Sequence, residues 1–295
     1  MTDIAIILNP GSGNGSDEEA RGRQLVELFA SHGREATPFE ASDAKPIDAQ
    51  ARAAVEAGCR VAVAAGGDGT VNVVASAVIE HDIPLGVLPV GTLNHFAKDV
   101  GIPLELPDAV RVIAEGSVRR VDAGEVNGRL FLNNSSIGVY PRIVELRKRY
   151  GGRGAGKWIA AVWATLAVLR RHPFVGVRIR TEEEVIVRRT PFVFVGNNEY
   201  RMEGLRAASR ESLTGGQLVL YVMHATRRQG VIGLAWQVLW RGAEHVDELD
   251  LFRVAETLVE TRRRRVQVSL DGEVVTLRTP LEYRIRPAAL QVIAP

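Results

Sequence analysis

The sequence of 295 residues contains one cysteine, Cys59, which excludes a disulfide framework and a cysteine metal site. Its six histidines show no H-x-x-x-H spacing, so zinc lacks its usual pair of ligands on one helix face. No G-x-S-x-G occurs, which leaves a serine hydrolase without its nucleophile turn. The longest strongly apolar run, residues 158–169, is flanked by Lys157 and Arg170 and falls short of the ~20 residues a bilayer span needs. The start, Met1-Thr2-Asp3, enters an apolar strand without a basic leader or cleavage site. A formal net charge of +2 does not point to a nucleic-acid binder. A reducing, cytoplasmic setting is the expectation, with contact at the inner membrane face left open.

What is present is an ordinary globular composition, long enough for two domains or one large one. To about Asp122, strands and helices alternate. Strands are expected at residues 4–8, 36–39, 61–65 and 85–88. Helices are expected from Ser16 to Gly33, up to Gly58, and over 71–79, 93–100 and 106–115. Apolar strands separated by helices predict a mostly parallel sheet with ligands beyond its carboxyl edge. After Asp122, strand-like runs dominate, at 130–133, 175–179, 185–187, 192–195, 218–222, 266–270, 274–277 and 281–285. Two helical insertions, 157–171 and 227–240, hold all four tryptophans. They either cover the β core or touch a membrane.

Three loops follow strand ends in the first part. In Asn9-Pro10-Gly11-Ser12-Gly13-Asn14-Gly15 the glycines fit neither the dinucleotide fingerprint nor a P-loop. The loop is either a plain turn or a cradle of backbone N–H groups with Ser12 for a phosphate. Gly66-Gly67-Asp68-Gly69-Thr70 lies between a buried strand and a helix start. Its glycines allow close approach of a phosphate. Asp68 is out of place in an anion-binding loop unless a metal or a proton transfer is involved, and otherwise it reads as a helix cap. In the third loop, residues 88–97, Thr92 and Asn94 either touch a nucleotide or cap a helix.

The second part has its own candidates. Asp271-Gly272-Glu273 is a two-residue hairpin turn or the source of the base that phosphoryl transfer to an alcohol requires. Residues 133–138, Asn-Asn-Ser-Ser-Ile-Gly, are either the polar floor of a cleft or a solvated turn. The run Arg262 to Arg265 is a solvated charged stretch or an attraction for anionic lipid headgroups.

Taken together, the motifs resemble the diacylglycerol kinase catalytic-domain family, bacterial soluble lipid kinases also similar to sphingosine kinases. The resemblance rests on Asn9-Pro10 with Ser12-Gly13, on Gly66 through Asn72, on Pro89 through Asn94, and on Asp271-Gly272-Glu273, in that order. It implies an N-terminal α/β domain of NAD-kinase and phosphofructokinase kind, residues 1–122 with a return near 287–295. It also implies a C-terminal antiparallel β-sandwich-like domain for the lipid, residues 123–286, with ATP between the two. By motif match, Asn9, Ser12, Gly13, Gly66, Gly67, Asp68, Gly69, Thr70, Val71, Asn72, Thr92 and Asn94 would serve the nucleotide, and Thr37 by a weaker match. Asp68 would organise Mg²⁺ with the phosphates. Glu273 would be the general base, supported by Asp271.

The sequence departs from that pattern twice. His95 stands where many members have Asp. Thr214-Gly215-Gly216-Gln217-Leu218-Val219 replaces an acidic element that holds a structural Mg²⁺, so that second site is expected to be absent. The reading is therefore an ATP-dependent, Mg²⁺-assisted lipid kinase with a lipid alcohol substrate, peripheral membrane contact and no nucleic-acid partner, with a homodimer left open. The alternatives are an NAD kinase-like enzyme, supported by the Gly66 to Thr70 element alone, or a non-catalytic nucleotide- or lipid-binding regulator.

Overall fold

The computed structural model describes residues 2–9, 18–42, 44–138, 141, 174–182, 184–201, 209–210, 212–223 and 249–295. Ser12, Gly13 and the two insertions at 157–171 and 227–240 lie outside them. The chain divides into two compact units, one of residues 1–123 with 287–295 and one of residues 124–286. It leaves the first within one strand and re-enters it within the last.

The first unit runs β1 (Ile4–Leu8), α1 (Glu18–Ser31), β2 (Ala36–Glu40), α2 (Ile47–Glu56), β3 (Val61–Gly66), α3 (Asp68–Val78), β4 (Leu85–Pro89), α4 (His95–Val100), α5 (Leu106–Glu115) and the start of β5 (Ser117–Val126). The strand order is β2-β1-β3-β4, all parallel, and the chain's return adds a further parallel strand through Val292 opposite Leu85. β1, β3 and β4 are buried along their whole length. That is why they read as continuous apolar runs rather than alternating ones. The helices pack as two pairs, α1 with α5 and α2 with α3. α3 begins at Asp68, three residues before the expected Val71, so Asp68, Gly69 and Thr70 form its first turn.

The second unit is a two-sheet sandwich. Its strands are the end of β5, β6 (Arg129–Phe131), β7 (Asn134–Gly138), β8 (Val175–Arg180), β9 (Val185–Thr190), β10 (Phe192–Asn197), β11 (Tyr200–Arg201), β12 (Ser209–Arg210), β13 (Leu218–Met223), β14 (Leu249–Val254), β15 (Glu256–Thr261), β16 (Arg265–Leu270), β17 (Glu273–Arg278) and the first part of β18 (Leu281–Ala294). One sheet has the antiparallel order β14-β13-β10-β7-β16-β17, and β18, β15, β8 and β9 pair in the other. Ile137, Val193, Leu220 and Val268 from the first pack with Ile179, Ile186, Val259 and Tyr283 from the second in one core.

Residues 134–138, expected as a polar floor or a solvated turn, are instead the central strand β7, with Ser135 and Ser136 buried. Polar residues hid it, because buried serines give no hydrophobic alternation. Ser135 Oγ lies 2.9 Å from the hydroxyl of the buried Tyr283, whose ring meets Phe131 edge-on at 6.3 Å. β5, β14 and β15 were not read from the sequence. Their charged residues break the apolar pattern, exposed at Arg119, Arg120, Arg253 and Glu256 but buried at Asp122 and Glu125.

Burial pushes the Tyr283 phenol far above its ordinary value, against a smaller opposing effect of the Ser135 hydrogen bond. Above about pH 10 the unfolded chain loses this proton while the folded one keeps it, so stability must fall as pH rises. Urea melts from pH 8 to 11 should show that fall, and Tyr283→Phe should flatten it. The same substitution should cost about 1–2 kcal/mol at pH 7 by leaving Ser135 without its partner.

Candidate functional site

The carboxyl edge of the parallel sheet is built by a contact between two glycines. A Cβ placed on Gly91 would lie 2.3 Å from the Gly67 Cα, so the loops after β3 and β4 touch backbone to backbone. Gly66 is fixed by a neighbour in the same way. A Cβ there would meet the Thr70 Oγ1 at 2.3 Å, so the buried Thr70 side chain folds over it. Thr70 Oγ1 accepts a hydrogen bond from Asn9 Nδ2 at 2.9 Å, and Asn9 N–H donates to the Ala65 carbonyl at 3.3 Å. The end of β1 is thereby tied to the first turn of α3.

Asp68 stands at the first position of α3, yet its carboxylate serves the next helix. Oδ2 accepts the His95 N–H at 3.2 Å and Oδ1 the Phe96 N–H at 3.0 Å. The negative charge is thus offset by the positive end of α4. Gly67 is the N-cap of α3 and supplies no side-chain hydrogen bond. The first-turn N–H groups of α3, which have no acceptor within their own helix, are left for an outside acceptor.

Asn94, read from the sequence as a nucleotide contact or a helix cap, is the N-cap of α4 but makes no side-chain cap bond. It is buried and left-handed, at φ 51°. Its Oδ1 accepts the Gly91 N–H at 3.1 Å, and its Nδ2 donates to the carbonyls of Pro89 and Gly91, both at 2.9 Å. Both amide hydrogens are engaged within the loop, so Asn94 shapes the loop and has no free donor for a ligand. Val71 is also turned inward: its side chain is buried and its N–H donates to the Gly67 carbonyl at 3.1 Å. Thr37 is not brought to this edge. It pairs with Ala5, three registers back from the Leu8–Glu40 pair at the strand end, about 10 Å away. Thr92 is exposed on its loop, and Gly69 and Asn72 are half-buried on α3. Gly91 was not singled out in the sequence, although glycines in two successive strand-end loops were the available signal.

In the second unit, Asp271 and Gly272 form the turn between β16 and β17, with φ of 47° and 84°. Two positive φ values make this the hairpin turn that Asp-Gly favours. The Asp271 carboxylate also has a structural task. Oδ2 accepts the Leu132 N–H at 2.7 Å, and Oδ1 accepts those of Asn133 and Asn134 at 2.8 and 3.0 Å. Asp271 N–H donates to the Asn134 carbonyl at 2.9 Å. The turn is clamped to the start of β7, and Glu273 beside it is exposed. Around the same segment, Arg210 donates to the Leu132 carbonyl at 2.6 Å and the Tyr200 hydroxyl to that of Asn133 at 2.8 Å.

No group of three or more His, Cys, Asp or Glu that could hold a metal occurs among the described residues. The Asn198 Oδ1 faces Gly215, 2.7 Å from where a Cβ would sit, and takes a long contact of 3.5 Å from the Gln217 N–H.

Residues 3–126 match the family model of the diacylglycerol kinase catalytic domain. Residues 153–294 match that of the YegS C-terminal NAD kinase beta sandwich-like domain. A diacylglycerol kinase of Mycobacterium tuberculosis is 27% identical over 300 residues, covering 99% of this chain and 95% of that one. An uncharacterized protein of Synechocystis is 28% identical over 236 residues, covering 78% of this chain, which spans only 54% of that relative. The crystal structure of a diacylglycerol kinase of Bacillus anthracis superposes with a TM-score of 0.73 at 22% identity, covering 99% of this chain and 97% of that one.

Two substitutions test this geometry. Gly91→Ala should lose about 1–3 kcal/mol by forcing the two loops apart. Asp271→Ala should lose at least about 2 kcal/mol, since three N–H groups lose their acceptor and a left-handed residue loses its tolerance. Asp271→Asn, which keeps one acceptor oxygen, should lose less. Denaturant midpoints at constant slope measure all three.

Proposed function

The chain belongs to the diacylglycerol kinase catalytic-domain family and is a kinase-type enzyme, and on that premise we propose that it transfers the γ-phosphate of ATP to the hydroxyl of a lipid alcohol of diacylglycerol type. The observation that carries the nucleotide half of the reading is the first turn of α3. It stands at the carboxyl end of β3 without a side-chain cap, next to the contact of Gly67 with Gly91, where no side chain covers the backbone. The N–H groups of Asp68, Gly69 and Thr70 hold phosphate oxygens there, favoured by the helix dipole. Thr92 adds a hydroxyl from the neighbouring loop.

Asp68 suits Mg²⁺ carried by the nucleotide. Each of its oxygens accepts one N–H, so each keeps a further lone pair. A cation held mainly by phosphates and one carboxylate is the ordinary arrangement for Mg²⁺, and it neutralises phosphate charge when bound. The protein's own part is positional, since phosphoryl transfer gains most from orientation and from fixed N–H dipoles.

Glu273 takes the proton of the acceptor hydroxyl as its oxygen attacks the γ-phosphorus in line. Two observations support it. Asp271 is committed to three backbone N–H groups, whereas Glu273 is exposed at the first position of β17. Asp271 is then a positioning residue, which supports the base by fixing the turn.

Incubation with Mg²⁺, γ-labelled ATP and a panel of lipid alcohols should label at least one of them. ATP binding with no labelled lipid sinks the proposal. Glu273→Gln should lower turnover by about 10²–10⁴-fold and leave ATP affinity unchanged. Undiminished turnover would remove Glu273 as the base.

A further inference from the structure

Several arginines of the second unit are paired with acids. Arg178 and Arg180 share Glu260, Arg253 holds Glu199, and Arg284 and Arg286 converge on Glu125. In contrast, Arg262, Arg263, Arg264, Arg265 and Arg278 are all exposed, and no acidic side chain among the described residues pairs with any of them. These five are gathered at one end of the β16–β17 hairpin. Arg265 lies directly opposite Arg278 in the strand register, and Arg262 to Arg264 form the turn that leads into β16.

Like charges directly opposite on a sheet oppose its stability. The backbone nevertheless holds them there. Thr279 Oγ1 donates to the Arg263 carbonyl at 2.8 Å, Thr279 N–H to that of Arg264 at 3.1 Å, and Thr261 Oγ1 to that of Arg263 at 2.9 Å. The turn is fixed from both flanks while its guanidinium groups extend into solvent. Five guanidinium groups at one end of this hairpin, none paired with an acid among the described residues, form a surface that is complete only against an array of anions. Arginine's planar fork suits phosphate in particular.

We infer that this end of the second unit is a docking surface for an anionic phospholipid bilayer. The choice of a bilayer rests on the lipid-kinase reading above, because an acceptor of that class resides in a membrane. A chain of net charge +2 also lacks the general excess of cations that a nucleic-acid binder carries. The surface does not touch the acceptor. Arg265 and Arg278 stand at the opposite end of a hairpin of six paired residues per strand from Glu273, about 17 Å away. They hold the protein at the bilayer, where each cation near the surface strengthens binding about fivefold and salt weakens it.

The test is co-flotation of the full-length protein with vesicles of phosphatidylcholine alone or mixed with phosphatidylglycerol. The wild-type protein should float only with the anionic vesicles, and less so as salt rises. Arg262→Glu with Arg264→Glu should weaken this by more than about tenfold. Arg265→Gln should weaken it too while leaving the melting temperature unchanged or raised, since it relieves the repulsion with Arg278. Wild-type binding that ignores vesicle charge, or variants that float like the wild type, overturn the inference. So does tighter binding to duplex DNA than to anionic vesicles at equal salt. Label transfer to an acceptor dispersed in neutral detergent keeps the two proposals separate. The arginine variants should match the wild type there. A wild type that labels nothing there defeats the kinase reading and leaves the vesicle result standing.

Discussion

The constraint on which the carboxyl edge of the N-terminal sheet depends is the direction of the Asp68 charge. A carboxylate at the first position of a helix would repel a phosphate approaching that helix. Here it is bonded to the first two N–H groups of α4, so its charge is offset within the protein. The rest of the edge follows from it. The bonds draw α4 against α3, the loop before α4 must then pass close to Gly67, and only glycine at position 91 permits that approach. Asn94 bridges what remains by bonding three backbone groups of its own loop.

The second unit repeats the device. Asp271 spends its charge on the backbone of residues 132–134, at a turn whose two positive φ values need Asp and Gly. Charge-assisted bonds to backbone N–H groups are among the stronger ones in proteins. Here they hold a segment in which Leu132 and Asn133 are both buried. In each unit, then, a motif acid is bonded to backbone N–H groups of another segment, beside groups proposed to act on the ligands: the N–H groups of α3 in one, the Glu273 carboxylate in the other.

Much of the fold class was legible in the sequence, because buried parallel strands such as β1, β3 and β4 are continuous apolar runs and helices such as α5 show strong periodicity. β7 was not, since its buried serines look like a polar loop until the neighbouring strands are known. The motifs located the loops well but not the tasks of the side chains within them. Nothing in the sequence near Asp68 says that its partners are the N–H groups of residues 95 and 96, and nothing near Asp271 points to residues 132–134. Backbone acceptors and donors have no sequence signature. Thr37, matched by motif alone, pairs with Ala5, three registers back from the Leu8–Glu40 pair at the strand end.

The nucleotide half of this account is tested most directly by hydrogen exchange with and without MgATP, followed peptide by peptide. Saturating MgATP should slow exchange most at residues 66–72, where the first-turn N–H groups of α3 gain acceptors, and next at 89–94. Protection that falls elsewhere and leaves residues 66–72 unchanged would contradict it.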